Sequence, residues 1–246
     1  MDQAETITAR VRMSIGGHEV DVELSMPTSA VDPVELLPLL WPLEDLIIGF
    51  AAQDAQARGE SISCRAGCGQ CCRQMVPVSR TEARRLAALV AAMPQPRQAQ
   101  VRRRFDEART RVDQSGLLDR MDRIGSMGRE QLQRLGLEWF ALGVACPFLE
   151  DESCSIHAER PLVCREYLVT SPAQACANPS ADTVTVVKLA GQLSRAAARL
   201  DDPRGAGASI PLLLALDASR IGPAPAAPEP APVQVRQVFA RLAASD

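Results

Sequence analysis

The sequence predicts a mainly α protein: an irregular helical domain built around a cysteine-cluster metal site, with an N-terminal β-hairpin. Three observations predict it. Capping-box signals stand ahead of helical apolar runs, as in Asp32-Pro33-x-Glu35 and Ser79-x-x-Glu82. Two period-two runs flank Gly16-Gly17. All eight cysteines fall between positions 64 and 176, and inert core thiols have no reason to bunch in this way.

Composition narrows the rest. A hydrophobic share of 46% is enough for a packed core and excludes wholesale disorder. The net charge of −3 gives no overall pull toward nucleic acid or an anionic membrane. Aromatic residues make up only 3%, too few for a base-stacking surface. Lys188 is the only lysine among many arginines and alanines, a bias expected of a GC-rich genome rather than of phosphate recognition. The start, M-D-Q-A-E-T-I-T-A-R, lacks the apolar stretch of a secretory signal, and no later segment reads as membrane-spanning. The expected location is the cytoplasm, where disulfides are disfavoured.

In order, Ile7, Ala9, Val11, Met13 and Ile15 share one face of a first strand. Val20, Val22, Leu24 and Met26 do so on a second, and this face needs helices to dock on. His18 reads as a turn residue. Asp32 opens a helix that Pro38 and Pro42 are expected to break, leaving a short piece and a longer helix from Pro42 to Arg58, ended by Gly59. Ser79 caps a helix expected to run to Met93, and Pro94 and Pro96 separate it from an Arg-rich helix. That helix carries Arg97, Arg102, Arg103, Arg104, Arg109 and Arg111 interleaved with Asp106, Glu107 and Asp113, so it reads as a solvated face laced with ion pairs. Another helical stretch follows from Leu117 to Leu142, weakened at Gly125 and Gly128, with Trp139 and Phe140 as core. Val184, Val186 and Val187 suggest an extended piece; beyond it, helices are expected from Leu189 to Leu200 and from Ile210 to Ser219. Gly222 to Pro232 reads as a Pro/Ala linker, and the last helix carries a stripe of Val235, Val238, Phe239 and Leu242 that returns to the core or meets a protein partner. The Gly205-Ala206-Gly207 run is too weak for a nucleotide loop, because no strand precedes it. The expected domains are a hairpin over 1–30, a helical domain over 31–221 with its metal-binding core at 60–176, and a linker with a short helix over 222–246.

The chemistry lies in the cysteines. Cys64, Cys68, Cys71 and Cys72 follow a C-x3-C-x2-C-C spacing within nine residues; Cys146, Cys154, Cys164 and Cys176 form a looser group. Thiolates must converge within about 2.3 Å of an ion, which is what such bunching serves. Gly67 and Gly69 favour a loop whose N–H groups can face sulfur. Eight thiolates fill two closed tetrahedral zinc sites; alternatively, three from the first group and one from the second hold a [4Fe–4S] cluster. The Cys64-x3-Cys68-x2-Cys71 spacing is shared with radical-SAM enzymes, but the helical pattern here cannot supply their barrel. Arg65, Arg73, Arg160 and Arg165, placed beside cysteines, are expected to balance thiolate charge.

Read together, C-x3-C-x2-C-C, Cys146-Pro147-Phe148-Leu149, Cys154, Ile156, Arg160-Pro161, Cys164-Arg165 and Tyr167 resemble the bacterial YkgJ-type, or CxxCxxCC, cysteine-cluster family, over residues 60–176. The resemblance implies chelation of zinc or iron. It departs at His157, where the family has tyrosine; packing is the expected role there, and ligation the alternative. Flagellin lysine N-methylases carry a related cluster, which implies methyl transfer from S-adenosylmethionine as the alternative function, although no nucleotide loop or base can be placed.

Overall fold

In the computed structural model, residues 5–121, 123–180, 182–201 and 209–244 are described; the Gly205–Gly207 run lies outside them. The fold is mainly α, with an antiparallel hairpin at its N-terminal end. Strands β1 (Thr6–Ile15) and β2 (His18–Pro27) pair in register from Thr6↔Pro27 to Ile15↔His18. Their apolar face docks on α1 (Pro33–Ala57), as the pattern requires. His18 does more than turn the chain: its ring stacks on Phe50 of α1 at 4.3 Å, with Nε2 3.2 Å from an Asp54 oxygen.

Helix α1 starts at the expected capping box, Val34 N–H donating to Asp32 at 2.9 Å. It then runs unbroken through Pro38 and Pro42, against expectation. The two missing donors fall within its first three turns. They are outweighed by a buried stripe of Leu36, Leu40, Leu43, Ile47, Ala51 and Ala55.

A short 3-10 turn (Gln70–Arg73) leads to β3 (Pro77–Val78), α2 (Arg80–Ala91) and α3 (Gln95–Gln114). The Ser79 capping box forms as read, Glu82 N–H donating to Ser79 at 3.1 Å. The 117–142 stretch divides into α4 (Leu117–Met121), a 3-10 turn (Ile124–Ser126) and α5 (Arg129–Ala141), parting near the expected glycines. Two two-residue strands follow, β4 (Leu149–Glu150) and β5 (Ser153–Cys154), then α6 (Leu162–Glu166) and α7 (Leu193–Ala198). The expected 210–219 helix is absent. Ile210–Pro211 form β6 against β3, Leu212–Leu214 make a 3-10 turn, and only Ala218–Ile221 (α8) is helical. Pro211 favours extended backbone at that point, and the sheet pairing takes it. Helix α9 (Ala231–Ala243) closes the fold.

Three cores result. The first joins the hairpin, α1, Leu162, α7 and α9, so the stripe of α9 is buried within this chain. The second joins α2, the start of α3, Phe148, Ile156 and Leu212; Phe105 and Phe148 meet edge to face at 5.4 Å. The third lies among α3, α4, α5 and Leu213–Leu214, with Trp139 buried and Phe140 only partly covered. No helix of the described residues is long and apolar enough to cross a membrane.

Candidate metal centre

Four connecting segments meet beside the second core, and each carries cysteines. The first leaves α1 through Gly59 and is tied down by Ser63, whose N–H donates to Val169 at 2.9 Å and whose Oγ–H donates to Thr170 at 3.4 Å. Cys64 and Cys68 lie on this stretch, and Gly67 within it takes φ +79°, a conformation that glycine adopts without strain. Cys71 and Cys72 lie on the 3-10 turn that ends it.

The second segment begins at Cys146, whose N–H donates to the Cys72 carbonyl at 2.7 Å, linking the two cysteine groups through the backbone. Cys154 pairs with Leu149 across the tiny β4–β5 hairpin. The turn of that hairpin places Asp151 and Glu152 at φ 47° and 57°, both left-handed without being glycine. Sequence reading offered no sign of this strain. What holds it is Arg73, which donates to Glu152 at 3.1 and 2.6 Å and to the Gly69 carbonyl at 3.0 Å. Gly69 is the contact point: a Cβ there would meet Leu149 Cδ1 at 2.5 Å and Glu152 Oε2 at 2.9 Å. Cys164 lies on α6, and Cys176 on a 3-10 turn (Ala173–Ala177) that packs against the Cys71–Cys72 turn.

All eight thiols are free; Cys176 is buried and the other seven are half-buried. Burial lowers the acidity of five of them. It pushes Cys146 up to about 12 and Cys164 well above the ordinary thiol value, and it raises Cys64, Cys154 and Cys176. Cys71 is raised first by the neighbouring Cys72 thiol and then by burial. Tyr167 stands beside the cluster, its acidity lowered by burial and by Cys176, Cys71 and Cys64, against a hydrogen bond with Gln74.

Of the four arginines expected to balance thiolate charge, Arg160 fits. Its Nε is buried without a hydrogen-bond partner, and its charge favours the thiolate forms of Cys64, Cys71 and Cys154. Arg73 is committed to Glu152 instead. Arg165 lies over Trp41 at 5.0 Å and donates to the Ala158 and Arg160 carbonyls. Arg65 is exposed. His157 is exposed on the short 3-10 turn (His157–Glu159) and does not pack in the core, and nearby Arg160 lowers its basicity. Among the described residues, no three His, Cys, Asp or Glu side chains stand in ligating positions together. What the fold brings together is the donor set: free thiols from four segments, beside the half-buried Arg160, whose Nε has no hydrogen-bond partner. That set fits a soft or borderline cation such as zinc or iron.

These features define a thiolate-rich metal-binding domain. A family model agrees: residues 63–182 match the CxxCxxCC family, described as a "putative zinc- or iron-chelating domain". No curated protein and no solved structure matches the chain.

Proposed function

We propose that the chain chelates zinc or iron through Cys64, Cys68, Cys71, Cys72, Cys146, Cys154, Cys164 and Cys176. The observation that carries this reading is the backbone bond from Cys146 to Cys72, which brings cysteines some seventy residues apart to one place. These thiols would hold the metal as thiolates, each giving its proton to solvent on binding. Arg160 then offsets part of the thiolate charge, and Arg73–Glu152 holds the two cysteine segments at contact distance.

The C-x3-C-x2-C spacing supports iron bound as a cluster, and the full count of eight supports zinc. Anaerobic purification followed by elemental analysis separates them. An iron–sulfur cluster makes the protein brown, with broad absorption at roughly 400 nm; a colourless protein with stoichiometric zinc ends that version, and metal-free protein ends the chelation reading. Methyl transfer is the alternative reading, carried by the family resemblance. Bound metal without S-adenosylmethionine binding by calorimetry removes it. Within the chelation reading the chain works in the cytoplasm and needs no nucleic acid. The arginines of α3 support the latter: Arg97 and Arg104 pair with Glu150, Arg109 with Asp217 and Arg103 with Glu107.

A further inference from the structure

We propose that the eight cysteines divide into two interleaved sets, out of sequence order: Cys64, Cys68 and Cys176 around one metal, and Cys146, Cys154 and Cys164 around another. Cys71 and Cys72 stand at the junction and each completes one shell. This rests on the chelation reading above and adds a division that the spacing conceals, since in the sequence Cys176 trails the second group.

Backbone placement carries it. The turn bearing Cys176 packs on the turn bearing Cys71 and Cys72. The stretch leading into Cys64 is bonded through Ser63 to Val169 and Thr170, midway between Cys164 and Cys176. The packing of the two turns is what folds Cys176 back onto the end of the first loop. Cys146 and Cys154 are joined to each other through the β4–β5 hairpin, where Leu149 N–H donates to the Cys146 carbonyl at 2.9 Å and Leu149 pairs with Cys154. Both pack against the second core, as does Val163, the residue before Cys164.

Four sulfurs per ion is the ordinary count for closed thiolate zinc sites. The Cys71 and Cys72 thiols lie against each other, so two adjacent shells can each draw a fourth sulfur from this one pair.

The test is a set of paired cysteine-to-serine variants in the full chain, reduced, reconstituted with Co2+ and assayed by elemental analysis and by thiolate-to-cobalt charge-transfer absorption. The wild type should hold roughly two Co2+ per chain. Cys64→Ser with Cys176→Ser should keep one, because both losses fall in the same shell. Cys154→Ser with Cys176→Ser should keep none. The reverse pattern, or one centre lost as a unit in every variant, overturns the division while leaving chelation intact. A wild type that binds no metal overturns the chelation reading itself. Should variants prove insoluble, wild-type protein can be stripped by stepwise chelator and alkylated at each step. Cys176 should then become labelled together with Cys64 and Cys68 in the mass spectrum, and labelling together with Cys164 overturns the division.

Discussion

Gly69 shows at single-residue scale how closely the cysteine segments approach. An added methyl would overlap Leu149 and Glu152 unless the β4–β5 hairpin moved away from the Cys71–Cys72 turn. Gly69→Ala should therefore cost about 1–3 kcal/mol by overpacking and weaken metal binding, read by competition with a chromophoric chelator. Unchanged affinity would mean that the two segments need not touch. Glu44 is a different case: it is fully buried on α1, and neither carboxyl oxygen has a hydrogen-bond partner. Burial, and then the nearby Glu166, raise its pKa from 4.5 to about 9, with Arg165 opposing. Unfolded Glu44 loses its proton near 4.5, whereas folded Glu44 keeps it. Its contribution to stability is thus full below that value and declines as pH rises through about 9. The loss at neutral pH is about 3 kcal/mol at most. Glu44→Met should raise the melting temperature more at pH 8 than at pH 5. An equal gain at both would show that the carboxyl does not hold its proton in the fold.

At the scale of elements, the long insert between Cys72 and Cys146 is the informative piece. Its charged helices suggest modest burial by sequence, yet α3, α4 and α5 enclose a core of their own with Val112, Leu118, Met121, Leu135 and Trp139. The first cysteine loop has little such packing, and Arg65 on it is exposed. Metal removal should open trypsin cleavage after Arg65 while Arg104, paired with Glu150, stays protected. Simultaneous cleavage at both sites would show that the insert depends on the metal for its packing. The prolines of α1 teach the complementary lesson. A breaker within the first turns costs local bonds, but a stripe buried along the whole helix decides the outcome.

Across the whole molecule, the first core contains no cysteine, whereas Cys146 and Cys154 border the second. Stability and metal binding should therefore separate by location. Leu242→Ala, in the first core, should cost about 2–5 kcal/mol with metal stoichiometry retained in protein that remains folded. Phe148→Ala, at the hairpin between Cys146 and Cys154, should lose stability and metal affinity together. Chemical denaturation with parallel metal analysis distinguishes the two, and a loss of metal in the folded Leu242 variant would show that the cores act as one unit.

What the sequence determined by itself were features written in local pattern. These include the hairpin, from period-two alternation around Gly16-Gly17, and the helix starts at Asp32 and Ser79, from side chains that bond their own backbone. They also include the confinement of all eight cysteines to a single stretch of chain. Tertiary structure decided what depends on partners distant in the chain. It carried α1 through its prolines, made β6 of a segment that read as helix, and paired Arg73 with Glu152. It also packed the turn bearing Cys176 on the Cys71–Cys72 turn, joining residues more than a hundred apart, a separation that no local periodicity records.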